Sequence, residues 1–214
     1  MCLVGVIIRY YQSKKDMKKT GIIIAVIAVV VLVFLWGVGI NNRLVTADEG
    51  VQQAWAQVEN VYKRRADLIP QLVATVQGAA DYERSVLTEV TNARAGVDNV
   101  KVDPSQLTED QVAAYQKAQD NLSKAVANTI KVTLERYPDL TATQGFRDLQ
   151  TQLEGTENRI TVERGKFNEA VQSYNTALRR FPANIVASLC GFQKKGYFTA
   201  PEGSDEPVSV EFNF

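Results

Sequence analysis

The side chains able to do chemistry in this 214-residue chain are mostly carboxylates. Glu135, Asp139, Asp148, Glu154, Glu157 and Glu163 crowd its second half, and helical spacing can bring Glu154 and Glu157 to one side. Two carboxyls so placed could divide general acid and general base work. On an exposed helix face, however, such residues are ordinarily hydrated charge. Cys190 sits in Leu-Cys-Gly-Phe and reads as a structural or incidental thiol. The chain has no His, which removes imidazole bases, Ser-His and Cys-His nucleophiles and every His-ligated metal. Two Cys make neither a four-Cys zinc site nor a disulfide scaffold. No Gly-rich phosphate loop, GxSxG turn or CxxC pair occurs. No catalytic residue, cofactor or metal is therefore assigned.

Charge narrows the partners. There are 24 basic and 24 acidic residues, but residues 1–20 carry five basic side chains against Asp16 alone. The remainder is net acidic, and Lys194-Lys195 is too small a basic patch for nucleic acid.

Gly21 to Ile40 is twenty residues without a charge, about 30 Å as a helix, which is the thickness of a bilayer's hydrocarbon core. Trp36 lies near its end, where an indole reaches the interface. The run is too long for a signal-peptide core and no small-x-small site follows it, so it reads as an uncleaved transmembrane anchor. Five Lys and Arg precede the span and only Arg43 lies between Asn41 and Val61. The positive-inside rule puts the N-terminus in the cytoplasm and residues 41–214 outside it. Residues 1–16 are partly apolar, and Met17-Lys18-Lys19-Thr20 alone would make an ordinary basic lead, so Met17 is the expected true start.

After the span, Asn41-Asn42 is expected to interrupt the helix and Thr46-x-x-Glu49 to restart it as a capping box. Val51, Trp55, Val58, Tyr62, Arg65, Ile69, Leu72, Val76 and Ala79 then step by four and three, a helix face expected to continue to Ala95. Pro70 should kink it and Gly78 soften it. Arg65 is the one charge on that face, and a buried guanidinium needs Asp67 or a carboxylate on a facing helix. Arg65, Asp67 and Pro70 could be a recognition device; a kink with a structural ion pair is the preferred reading.

Residues 96–107 read as a loop, and Thr108-x-x-Gln111 caps a second helix. Its face is Val112, Tyr115, Leu122, Ala125, Val126, Ile130 and Leu134, ending at Tyr137-Pro138. A third helix starts near Thr143. Its stripe of Phe146, Leu149, Leu153, Thr156, Ile160, Glu163, Phe167, Ala170, Tyr174, Ala177 and Phe181 stops at Pro182. A short fourth helix is a candidate over residues 183–189. The fold class is all-α: a basic lead at 1–20, one N-terminal transmembrane helix at 21–40, a long-helix antiparallel bundle at 41–190, and an irregular, extended tail at 191–214. Val208, Val210, Phe212 and Phe214 alternate as one face of a strand, which must dock on its own bundle or on a neighbouring copy.

These residues also carry a resemblance. Residues 41–95, with Trp55, Val58, Arg65, Asp67, Leu68, Pro70 and Leu72, closely resemble the start of the LemA family. Glu135-Arg136-Tyr137-Pro138-Asp139-Leu140, then Phe146 and the run from Gln152 to Ile160 with Glu157, Asn158 and Arg159, match in order. So do Glu163-Arg164, Asn168, Tyr174-Asn175, Phe181-Pro182 and a tail with Phe198, Pro207, Val208 and Phe212. Phe167 stands where the family often has Tyr. The resemblance covers roughly residues 17–214.

It implies a single-pass bacterial membrane protein with a helical bundle and no enzyme activity. A magnetosome protein sharing the domain implies membrane organisation, and neighbouring genes for membrane proteases imply envelope quality control. Two functions are expected from residues and resemblance together. One is a non-enzymatic scaffold that self-associates and shapes the envelope membrane, with the lipid bilayer and further copies of itself as partners. The alternative is an adaptor for another membrane protein, such as a protease.

Overall fold

The computed structural model describes residues 2–78 and 84–200, with side chains described from Ile23 onward. Six helices follow in order: α1 Cys2–Gln77, α2 Arg84–Asp98, α3 Glu109–Arg136, α4 Pro138–Thr141, α5 Gln144–Arg179 and α6 Ala183–Cys190. There is no strand among the described residues. Residues Val208, Val210, Phe212 and Phe214 lie outside them.

The helix α1 carries both a segment long and apolar enough to cross a membrane and the first helix of the bundle. The apolar span is bare of protein contact, with Ile24, Val30, Leu32 and Phe34 more than 60 % exposed. A hydrocarbon environment is the one such a surface suits. The expected interruption at Asn41-Asn42 does not occur. Thr46 Oγ1 instead donates to the Asn42 carbonyl at 2.9 Å, within the helix. Leu44 and Val51 are buried on either side, and their burial outweighs the weak local preference of Asn and Thr for a break. Pro70 also stays inside the helix, on its exposed face.

The first bundle helix ends earlier than expected. It stops at Gln77, and α2 is a separate element rather than its continuation to Ala95. The reason for the misreading is periodic. Val86 and Val90 continue the four-three phase of Leu72 and Val76, so the apolar pattern alone does not reveal the break after Gln77. The three long helices expected are α1, α3 and α5, the short one expected over residues 183–189 is α6, and α2 is a further bundle helix.

Cross-helix contacts give the directions. Trp55 meets Phe167 and Arg65 meets Glu157, so α1 and α5 are antiparallel. Tyr115 sits beside Trp55, and Ser123 beside Arg65, so α3 runs with α1. Asn128 Nδ2 donates to Glu89 Oε2 at 3.1 Å, tying α3 to α2. The order is up, down, up, down.

Ends follow local chemistry. Thr108 Oγ1 accepts from the Gln111 N–H at 3.3 Å and Thr143 Oγ1 from the Phe146 N–H at 3.4 Å, as N-caps should. Pro138 opens α4 at its first turn. Gly191, at φ 78°, closes α6 in the left-handed conformation.

Two apolar clusters fill the bundle. The membrane-side one surrounds Leu44, Trp55, Tyr115, Phe167 and Leu178; the far one joins Leu72, Val86, Val126, Phe146 and Leu149. Leu134 and Phe181, expected on core stripes, are 48 % and 81 % exposed. Phe181 lies beyond the last turn of α5, so helical phase no longer governs where it points.

Candidate functional site

Between the two clusters the helices exchange apolar for polar contact. Arg65 is 2 % exposed and reaches α5 and α3 together. Its Nη1 donates to Glu157 Oε2 at 3.0 Å and Oε1 at 3.2 Å. Its Nη2 donates to the Gln119 carbonyl at 3.0 Å and to Gln119 Oε1. Ser123 accepts from Arg65 and its hydroxyl donates to Glu157 Oε1 at 2.8 Å. The facing-helix carboxylate is the partner; Asp67 points to solvent. Only the planar guanidinium fork can serve these groups at once. Glu157 is half-exposed, so the layer resembles a register lock open to water on one side more than a reaction centre.

Next to this layer Arg164 Nη2 pairs with Asp120 at 3.0 Å and lies over the rings of Tyr62 and Phe198. Burial pushes the Tyr62 phenol above its ordinary pKa, against the opposing pull of Arg164 and Arg65. Its hydroxyl has no hydrogen-bond partner among the described residues. Burial likewise raises Tyr115 and Tyr174.

The second arrangement holds the chain's own C-terminal segment. After α6 the chain turns back and climbs along α5 in an extended form, held by side-chain amides that imitate strand pairing. Asn175 donates to the Lys195 carbonyl at 2.9 Å and accepts from the Lys195 N–H at 3.0 Å. Asn168 does the same for Phe198, at 2.8 and 2.9 Å. Gln116 repeats the pattern on α3 for Thr199, at 3.0 and 2.9 Å. Tyr174 adds a bond from its hydroxyl to the Gln193 carbonyl at 3.0 Å.

Side chains seat the segment. Phe198 stacks on Trp55 with centroids 5.8 Å apart and meets Phe167 edge-on. Lys195 turns inward, 3.0 Å from Asp48 and bonded to the Ser105 carbonyl. Gly196 donates to the Leu107 carbonyl at 2.8 Å. A Cβ there would stand 2.6 Å from Glu109 Cα, so glycine is required by close approach. Leu107 itself takes φ 45°, a costly conformation for a branched residue, with its side chain fully buried.

The sequence-derived residues thus fall into separate places. Trp55, Tyr174 and Asn175 join the clamp; Arg65 and Glu157 form the polar layer. Tyr137 packs on the far cluster beside Pro138, while Asn158 and Arg159 face solvent. Phe181 and Pro182 mark the membrane end. Sequence reading missed Gln116 and Gly196 as site residues, while Asn168 carried the resemblance without a role and Lys195 read only as part of a small basic patch. Polar residues on a helix read as surface, and only the lone Gly196 beside buried Lys195 offered a signal.

Among the described residues no three His, Cys, Asp or Glu side chains come together as a metal site. The acids of the second half are dispersed, Glu154 accepting from Gln150 and Asp148 from Gln144.

Comparison with known proteins adds a family. A model of the LemA family matches residues 54–212. The chain is similar to Magnetosome protein MamQ 2 of Paramagnetospirillum magneticum, 25% identical over 184 residues covering 78% of this chain and 67% of that one. It is similar to Magnetosome protein MamQ of Magnetospirillum gryphiswaldense, 24% identical with the same coverage. It is also similar to Protein LemA of Metamycoplasma hominis, 24% identical over 165 residues covering 77% and 71%.

Proposed function

This chain belongs to the LemA family, and from that premise we propose that it is a membrane-anchored, non-enzymatic scaffold that self-associates and organises the bacterial envelope membrane. The observation that carries this reading is the clamp. It holds the chain as far as Thr199 against α1, α3 and α5, which fixes the described end of the chain at a defined place on the bundle. A segment with alternating Val208, Val210, Phe212 and Phe214, presented at a fixed point, suits capture by another copy. The unbroken α1 then transmits the spacing of such an assembly to the bilayer. Similarity to proteins named for the magnetosome supports a membrane-organising role.

The test is co-purification of two differently tagged full-length copies expressed together and extracted in mild detergent. Each tag should recover the other, and removal of residues 208–214 from both copies should abolish recovery. Failure of the intact copies to recover one another would contradict the scaffold and favour the adaptor.

A further inference from the structure

The membrane end of the bundle carries a surface that neither the core nor the clamp uses. Phe181, Ile185 and Leu189 recur at four-residue intervals and are 81 %, 51 % and 82 % exposed. Ile185 and Leu189 lie on the side of α6 opposite Ala187, which is buried against the membrane-side cluster, and Phe181 precedes them in the turn before the helix. Two large apolar side chains on this short helix, with Phe181 in the turn just before it, form a patch that a water-facing surface would not keep without use.

Its position says what that use is. α6 packs on α1 and on the last turns of α5, in the same cluster as Leu44 and Leu178. Ile40, the last residue of the uncharged run, packs against that cluster too. Beside α6 a cleft of about 620 Å³ is lined by Trp36 and Ile40 from the end of the span, by Arg43 one turn above, and by Thr176 and Arg180 from α5. From Ile40, where the uncharged run ends, to Arg43 the helix rises about 4.5 Å, which falls within the roughly 5–7 Å depth of one headgroup layer. The cleft is thus apolar where α1 leaves the hydrocarbon and cationic where phosphates lie. The described C-terminal segment cannot cover the patch, because from Phe192 it climbs toward Asn168 and Gln116, away from this end.

We propose that this corner is a lipid-docking site: α6 lies in the bilayer interface with Phe181, Ile185 and Leu189 among the upper acyl chains, and Arg43 and Arg180 bind the phosphate of an anionic phospholipid in the cleft. Continuity with the membrane span and charge complementarity select lipid over a protein partner. The proposal rests on α1 being the anchor and is independent of self-association. A second attachment near the anchor fixes the tilt of the bundle, which a single helix leaves free.

Cys190, exposed beside Leu189, is a ready reporter. Full-length protein with Cys2→Ser, labelled there with an environment-sensitive fluorophore, is reconstituted in phosphatidylcholine vesicles with and without phosphatidylglycerol. Co-flotation with vesicles first verifies the anchor separately. Lipids brominated high on the acyl chain should quench the probe roughly twofold, aqueous iodide should quench it less than in detergent, and phosphatidylglycerol should strengthen both effects. The pair Ile185→Glu and Leu189→Glu should remove lipid quenching. Arg43→Gln with Arg180→Gln should remove only the dependence on phosphatidylglycerol. A floated probe open to iodide and untouched by brominated lipid would overturn the proposal. So would a probe shielded from iodide without lipid quenching, since a second protein copy would then cover the patch.

Discussion

At the residue scale, Arg65 and Glu157 are unequal partners. Arg65 is 2 % exposed and Glu157 49 %, so loss of the acid strands a buried cation, whereas loss of the base strands mainly the Gln119 side chain. Gln119 and Ser123 still serve the cation in Glu157→Ala, and the cost expected is about 1–3 kcal/mol. Arg65→Lys should cost a similar amount, because a point ammonium cannot reach both helices. Chemical denaturation of each variant checks both values, and unchanged midpoints would show the layer to be decorative. Gly196→Ala should cost about 1–3 kcal/mol by forcing the segment off Glu109, and should free residues 193–199 to proteolysis. Tyr62→Phe removes a buried hydroxyl that lacks a partner and should leave stability equal or slightly raised. The phenols of Tyr62, Tyr115 and Tyr174 have folded pKa values above the unfolded one, near 10. Their stabilisation is full below about pH 10 and is lost as pH rises above it, because the unfolded chain releases those protons first. Ultraviolet titration should show three of the eight tyrosines ionising late or only with unfolding.

At the element scale, the legible features were those written in one unbroken stretch. The apolar run at 21–40, the caps at Thr108 and Thr143, the stop at Tyr137-Pro138 and the short helix after Pro182 depend on neighbours in sequence. The break after Gln77 was hidden because Val86 and Val90 keep the phase of the preceding stripe. The continuity of α1 past Asn42 was hidden for the opposite reason: burial of Leu44, a tertiary fact, overrode a local signal. The resemblance marked Trp55, Asn168, Tyr174, Asn175 and Phe198, but nothing in the sequence showed that they meet as a clamp. Gln116, Asn168 and Asn175 meet the tail across separations of 83, 30 and 20 residues, and each alone looks like a solvated amide. Unbroken α1 has a consequence. A Gly-Pro insertion after Asn42 should lower the bundle's unfolding midpoint only slightly, since the fully buried residues begin at Leu44 and only half-buried Ile40 packs from before it, yet uncouple its orientation from the anchor. Spin-label distances from the span to α5 should broaden.

At the scale of the whole molecule, the chain is an anchor, a bundle with one polar layer, and a C-terminal segment locked along its side. By the positive-inside rule, the basic flank before the span predicts that the bundle lies outside the cytoplasm. Glu169→Cys, exposed on α5, should therefore react with a membrane-impermeant maleimide in intact spheroplasts when Cys2 and Cys190 are both replaced by Ser. Reaction only after lysis would reverse the orientation. The central claim is that the anchored bundle assembles with its own kind through the end of the chain. Its most direct test is the mass of full-length protein in mild detergent by light scattering across a range of concentrations, with and without residues 208–214. A defined multi-copy mass that falls to one copy on truncation is the predicted result; a single-copy mass in both forms at every concentration would contradict it.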